Sequence, residues 1–152
     1  MIQDVYEEVR KKHKLPPFLE MDKEFDLCTI EQEHNLLRGI KKKMDDRISY
    51  VVNLLETIIH PNAESVVDMY ECRFFSDVEK KKVYDLIKQM HYLLRMIDES
   101  NVINDDKHDL ECILAIHQAW PPLKDESLSF VKKLKEAWKN ASHSKEHLNY
   151  MG

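Results

Sequence analysis

Apolar residues recur at helical spacing along most of the chain, and this pattern predicts an all-α protein. The apolar face of residues 2–13 predicts a first short helix that ends before Pro16-Pro17, because proline cannot continue a helix from within. Residues 18–28 are ambiguous and predict one or two helical turns. The strongest signal follows, from Thr29 to His60, and it predicts a long central helix.

This long helix has both a start signal and a continuous apolar face. Thr29-x-x-Gln32 fits a capping box, in which side chains at both positions bind the free backbone N–H groups of a helix start. Pro61-Asn62 marks the end. Apolar residues recur every seven positions, at Ile30, Leu37, Met44, Val51 and Ile58. Such a repeat is typical of bundle and coiled-coil faces.

The middle of the chain predicts a second long helix. A short helix is expected at residues 63–72, and Ser76-x-x-Glu79 is a second capping box. The apolar face that follows extends to Ile97, and the polar stretch 98–106 predicts a loop.

Two further helices are predicted in the last third. One ends at Trp120-Pro121-Pro122, and the other runs from about Glu126 to Ala141. The weakly periodic tail 143–152 predicts a frayed end. No repeat or linker interrupts the chain, so residues 1–142 predict a single-domain bundle of about five helices.

Composition narrows the functional classes. Two glycines in 152 residues argue against glycine-rich phosphate loops, and a net charge of −5 argues against direct nucleic-acid contact. The lysine runs 41–43 and 80–82 are interleaved with acids, as on a solvated helix face. Three scattered cysteines predict reduced thiols in the cytoplasm, and no apolar run is long enough to predict a membrane span.

Glu31-x-x-His34 has the spacing of metal ligands on one helical turn. Di-iron bundles use this motif twice, together with further inward glutamates, and this chain has it once. A solvated first helical turn is the favoured interpretation. We therefore expect no metal and no cofactor.

Four polar residues would matter if separate helices converged into a cleft. They are Glu33, His34, Arg47 and His117. Glu33 and Arg47 lie either on the rim of the long helix or toward a partner, and His117 is a lone histidine on an apolar face. No nucleophile or acid accompanies them in the sequence, so no catalytic residue is assigned. A small all-α enzyme remains an alternative.

The segment 69–75 concentrates aromatic residues directly before the second capping box. One phenylalanine is expected to pack at the corner where the helix begins, and the other to reach solvent. Aromatic residues beside arginine have the composition of a protein-interaction hot spot. The candidate interface residues are Met69, Tyr70, Arg73, Phe74 and Phe75.

Three segments together resemble the helical A domain of GINS replication-complex subunits. They are LLRGIKKKMDDRI (36–48), HPNAESVV (60–67) and FFSDVEKKKVYDL (74–86), within a span of about a third of the chain. The resemblance implies a non-catalytic scaffold in a tetramer near the replicative helicase. The chain departs from that family because residues 105–141 predict helices and no small β domain follows.

The packing signals are stronger than any catalytic signal. The sequence therefore predicts a non-catalytic helical interaction or scaffold module, whose partner is another protein or a second copy of itself in a homodimer. A GINS-like scaffold subunit is the alternative among binding proteins.

Overall fold

The protein is all-α, as the sequence predicts. The computed structural model describes residues 1–31 and 33–139, and it contains six α-helices and no strand within those ranges. The helices are α1 (Ile2–Lys12), α2 (Phe18–Phe25), α3 (Leu36–Ile59), α4 (Val66–Cys72), α5 (Asp77–Ile103) and α6 (Asp106–Lys139). Two single 3-10 turns occupy Leu27–Thr29 and Glu33–Asn35. The predicted frayed tail 143–152 lies outside the described residues.

The chain divides into two compact units. The first comprises Met1–Ser49 with Tyr92–Trp120, and the second comprises Tyr50–His91 with the chain from Pro121 onward. Each unit takes one part of α3, α5 and α6. The single-domain organisation predicted for residues 1–142 stays a prediction.

The predicted start of the long helix at Thr29 is wrong. Thr29 ends a 3-10 turn, and its hydroxyl donates 2.7 Å to the carbonyl oxygen of Asp26. Ile30 is extended, and α3 begins at Leu36. Gln32, the other half of the proposed capping box, lies outside the described residues. Because Ile30 is extended, no helix begins directly after Thr29 for its hydroxyl to cap.

The extended segment also explains a glycine inside α3. A Cβ atom at Gly39 would lie 2.8 Å from Cγ2 of Ile30, closer than packed carbon atoms approach. Glycine is otherwise unfavourable in a helix interior. Its absent side chain lets Ile30 lie directly against α3.

The buried stripe of α3 follows the helical period of 3.6 and departs from the seven-residue repeat. Of the repeat positions, Met44 and Ile58 are buried, whereas Ile30, Leu37 and Val51 are half-buried. The buried positions of α3 instead follow one another at intervals of three or four residues, which is the spacing of one helix face. The fully buried apolar positions of α3 are Leu36, Ile40, Met44, Ile48, Val52, Leu55 and Ile58.

The capping box at the start of α5 is confirmed. The Glu79 N–H donates to the Ser76 hydroxyl at 3.1 Å, and the Ser76 N–H donates to the Glu79 carboxylate at 3.0 Å. The predicted loop at 98–106 is wrong, because α5 continues to Ile103. Asn104, with φ 60°, then turns the chain into α6. Asparagine tolerates this left-handed conformation better than most residues.

The predicted break at Pro121-Pro122 is also wrong. Both prolines lie inside the continuous helix α6. They are exposed, while Trp120 and Leu123 on either side are buried. Each proline removes one backbone hydrogen bond, but on an exposed face the freed carbonyl groups remain accessible to water. Burial of the flanking residues offsets the cost and keeps the helix continuous.

None of the helices in the described part of the chain combines the length and apolar character that a membrane span requires.

Candidate functional site

Helix α4 supports an aromatic surface on the second unit. Its first turn is fixed by Ser65, whose hydroxyl accepts from the Asp68 N–H at 3.2 Å. One turn later, the Tyr70 hydroxyl donates 2.9 Å to the Ala137 carbonyl oxygen of α6. This bond holds the end of α6 against α4 and fixes the position of the tyrosine ring.

Two aromatic rings pack against Tyr70. Phe74 meets it edge to face, with 5.1 Å between ring centroids, and Trp138 lies 4.6 Å away in a tilted stack. The indole N–H of Trp138 donates 2.8 Å to the Glu71 carboxylate. We call Tyr70, Phe74 and Trp138, with the neighbouring Val66 and Val67, the aromatic surface.

The aromatic surface presents apolar area to solvent. Trp138 is 42 % exposed, Val66 is 54 % exposed and Val67 is 50 % exposed. Val67 precedes Tyr70 by three positions and Phe74 by seven, so these residues share one side of α4 and of the turn that follows it. Arg73 is exposed beside them, and Met69 is half-buried. An ordered, hydrogen-bonded tryptophan that remains partly exposed is a preferred anchor for protein contacts.

Phe75 has a different role from Phe74. It is buried, its ring centroid lies 6.3 Å from that of Phe130, and Lys133 Nζ lies 5.2 Å above it. Lys133 also pairs with Glu79 of the capping box. That pairing, followed by the Ser76 N–H bond, lowers the pKa of Glu79. Phe75 thus packs at the corner entering α5, as predicted, but its partners are on α6.

The five predicted interface residues therefore divide into two groups. Tyr70 and Phe75 are buried, whereas Arg73, Met69 and Phe74 are exposed or half-buried. Sequence reasoning missed Val66, Val67 and Trp138. On the last part of α6, Phe130, Leu134 and Ala137 are buried, whereas Trp138 is 42 % exposed.

The first unit contains a buried charged cluster. Lys41 on α3 is 2 % exposed and donates to Asp109 Oδ1 at 2.7 Å and to the Ser100 hydroxyl at 2.9 Å. It also donates to the Asn101 side-chain oxygen. All three ammonium donors are therefore satisfied, as a buried lysine requires. Burial raises the pKa of the neighbouring Cys112 thiol.

A cleft of about 560 Å³ lies above this cluster in the first unit. Three parts of the chain form its walls: the end of α1, the start of α3 and the connection between α5 and α6. The lining residues are Val5, Val9, Lys12, His13, residues 34–38, residues 104–106 and Asp109.

The carboxylates of the cleft are largely engaged by the protein itself. Asp109 pairs with Lys41, and Asp105 accepts from the His108 N–H at 2.8 Å and lies 2.7 Å from the His108 ring nitrogen. The bond from the His108 backbone N–H is the main cause that lowers the pKa of Asp105. Among the described residues, Asp106 makes no side-chain hydrogen bond or ion pair, so it is the one cleft carboxylate without a compensating group.

The four polar candidates have separate positions. His34 is exposed and lines the cleft, whereas Arg47 is half-buried on α3 and does not line it. His117 lies with its Nε2 3.1 Å from the Glu20 carboxylate, also away from the cleft lining. The side chain of Glu33 lies outside the described residues. The cleft was not foreseen from the sequence, because its walls come from three distant segments.

The proposed Glu31–His34 pair has no further ligand around it in the described chain. Both residues are exposed, and no group of three or more His, Cys, Asp or Glu side chains among the described residues is arranged to hold a metal ion. Cys72 is buried, and its thiol donates to the Met69 carbonyl oxygen at 3.4 Å.

Comparisons of the chain with protein-family models, with curated proteins and with solved structures find no match.

Proposed function

We propose that the protein is a non-catalytic helical interaction module that associates with a second copy of itself through the aromatic surface. The observation that carries this proposal is Trp138. It is ordered by Tyr70 and Glu71, yet 42 % of it is exposed, and Val66 and Val67 of α4 are also exposed. Burying such an anchor in a partner is the main source of binding energy in protein interfaces.

The charges around α4 favour a second copy as the partner. The acidic residues Glu64 and Asp68 lie at its start, and the exposed Arg73 follows its end. Two such helices packed antiparallel about a two-fold axis bring the basic end of one toward the acidic end of the other. A two-fold interface uses the same patch on both subunits, so a patch that complements itself fits this symmetry.

The proposed module acts in the reducing cytoplasm. The three cysteines are free thiols, and Cys28 is exposed. A reducing compartment keeps an exposed thiol from forming intermolecular disulfides. The proposed interaction requires no cofactor, nucleic acid or membrane.

Sedimentation equilibrium over a micromolar concentration range tests the proposal. We expect a mass that rises with concentration toward twice the chain mass of 18.2 kDa. Trp138→Ala should shift the association toward monomer, because it removes the central anchor. The matched control is Tyr92→Ala, which truncates an aromatic residue that is 70 % exposed on the first unit and should leave association unchanged. A constant mass of 18.2 kDa in the wild-type protein would overturn the proposal.

A further inference from the structure

Four basic side chains without a described partner line the cleft of the first unit. Lys12 and His13 come from the end of α1, and His34 and Arg38 come from the start of α3. None of these four side chains forms an ion pair or hydrogen bond with another described side chain. Two of the three carboxylates in the cleft already have partners: Asp109 pairs with Lys41, and Asp105 accepts from the backbone N–H of His108 and lies 2.7 Å from its ring nitrogen. Among the described residues, Asp106 is the cleft carboxylate without such a partner.

We propose that this cleft binds a small organic phosphate. Arg38 and Lys12 supply the two permanent cationic groups, and His13 and His34 supply further N–H donors beside them. Arginine matches a phosphate with two parallel hydrogen bonds, and lysine binds it as a point charge. The binding site is independent of the aromatic surface and adds a ligand to the proposed interaction module.

An apolar body on the ligand is indicated by the rest of the lining. Val5 and Val9 of α1 face the cleft together with Leu36 and Leu37 of α3. Small-molecule sites of about 300–1,000 Å³ combine such apolar walls with a few convergent polar groups. The volume of about 560 Å³ lies within that range and exceeds what a bare phosphate ion would fill. A phosphate ester with an aromatic or aliphatic group therefore fits better than inorganic phosphate.

A cationic ligand fits less well. It would have Asp106 as its one uncompensated carboxylate and would meet Lys12 and Arg38 in the same cleft. Capture of Asp109 would require breaking its pair with the buried Lys41, which would leave that ammonium group unpaired. The unpartnered Lys12 and Arg38 thus favour an anion over a cation.

Isothermal titration calorimetry with phenyl phosphate tests the proposal. Inorganic phosphate provides the charge without the apolar body, and benzyl alcohol provides a ring without the charge. We expect phenyl phosphate to bind at one site per chain and to bind more tightly than either of the other two compounds. Absence of saturable binding by phenyl phosphate would overturn the proposal.

Substitutions of the cleft-lining cations test whether phenyl phosphate binds in the cleft. Arg38→Gln and Lys12→Gln should each weaken binding by about tenfold or more, since a hydrogen bond to a charged group contributes roughly 1.5–3 kcal/mol. The matched controls are Lys42→Gln on α3 and Lys11→Gln on α1, which remove exposed charges outside the cleft lining. If the control substitutions weakened phenyl phosphate binding equally, the attraction would be a diffuse effect of surface charge. That result would also overturn the proposed site.

Two further measurements separate this site from other effects. Unchanged thermal unfolding midpoints of the four variants exclude loss of the fold as the cause of weaker binding. Trp138→Ala should bind phenyl phosphate like the wild type, because the aromatic surface is on the other unit. Absence of self-association would therefore not argue against the phosphate site, and absence of phosphate binding would not argue against the interaction module.

Discussion

Lys41 Nζ lies 2.7 Å from Asp109 Oδ1, and the two residues are 68 positions apart in the chain. Both are buried, and the pair joins the first half of α3 to the first turn of α6. The same ammonium group holds Ser100 and Asn101 near the end of α5. One side chain thus fixes the junction of three helices directly beneath the cleft.

Lys41→Met should strongly destabilise the protein. It leaves the Asp109 carboxylate buried without its cation, and breaking one side of a buried pair typically costs about 3–5 kcal/mol. The free energy of unfolding in urea measures this effect. Lys42→Met, on the exposed side of α3, should change stability by less than about 0.5 kcal/mol.

The double variant Lys41→Met/Asp109→Leu tests the reason for that loss. Replacing both charges by apolar groups removes the unpaired carboxylate, so much of the lost stability should return. A double variant as unstable as the single one would show that the packing of the lysine chain matters more than the charge.

Phe75→Ala should destabilise more than Phe74→Ala. Phe75 is buried against Phe130, and truncation of a buried phenylalanine typically costs about 3–5 kcal/mol. Phe74 is half-buried, so it loses less apolar contact. Ser76→Ala removes only a helix cap and should cost about 1 kcal/mol. Urea unfolding of the three variants gives the order, and equal stability of Phe75→Ala and wild type would contradict the burial of that ring.

The sequence predicted the elements that depend on local chemistry. Ser76 and Glu79 lie three residues apart and cap each other, so their role can be recognised without knowledge of the fold. The same motif failed at Thr29, because the chain is extended at Ile30 and α3 begins only at Leu36. A capping motif shows which hydrogen bonds its side chains could form. The conformation of the neighbouring chain determines whether a helix begins there.

The missed features depend on contacts between distant segments. The lysine run 41–43 suggested a solvated surface, yet Lys41 is buried because Asp109 and Ser100 meet it from α6 and α5. Pro121 suggested a helix end, yet burial of Trp120 and Leu123 keeps α6 continuous. In both places, contacts between distant segments determined the outcome. Local sequence preferences such as helix propensity are weak compared with such contacts.

Glu79→Gln should reveal a pH-dependent contribution to stability. The pKa of Glu79 in the folded protein is lowered below its ordinary value of 4.5, first by Lys133 and then by the Ser76 N–H. The charged form is therefore favoured by folding. Its contribution is fully present above pH 4.5 and is lost as the pH falls through the lower folded-state value.

Urea unfolding of both proteins between pH 7 and about pH 2.5 measures this difference. The wild type should be more stable than Glu79→Gln at pH 7, and the gap should close in acid. Lys133→Met removes the first cause of the lowered pKa, so its own stability should depend less on pH in the acidic range than that of the wild type. A gap that widens in acid would contradict the assigned direction.

Native protein should expose one of its three thiols to Ellman's reagent. Cys28 is exposed, whereas Cys72 and Cys112 are buried, so these two thiols should react only after the protein is unfolded in urea.

Reaction of the reagent with Cys28 should also be slow for an exposed thiol. The Asp22 carboxylate accepts a hydrogen bond from it and raises its pKa, and the thiolate is the form that reacts. Asp22→Asn should therefore speed labelling of Cys28, because a neutral amide disfavours the thiolate less than a carboxylate does. The Cys28 N–H, which donates 2.8 Å to Asp22 Oδ1, keeps an acceptor in that variant, so the local backbone is preserved.

Labelling rates measured at pH 8 for wild type, Asp22→Asn and Cys28→Ser test whether Asp22 slows the reaction and whether Cys28 is the thiol that reacts. Rapid labelling of Cys28→Ser would show that a second thiol opens to solvent, in conflict with the burial of Cys72 and Cys112.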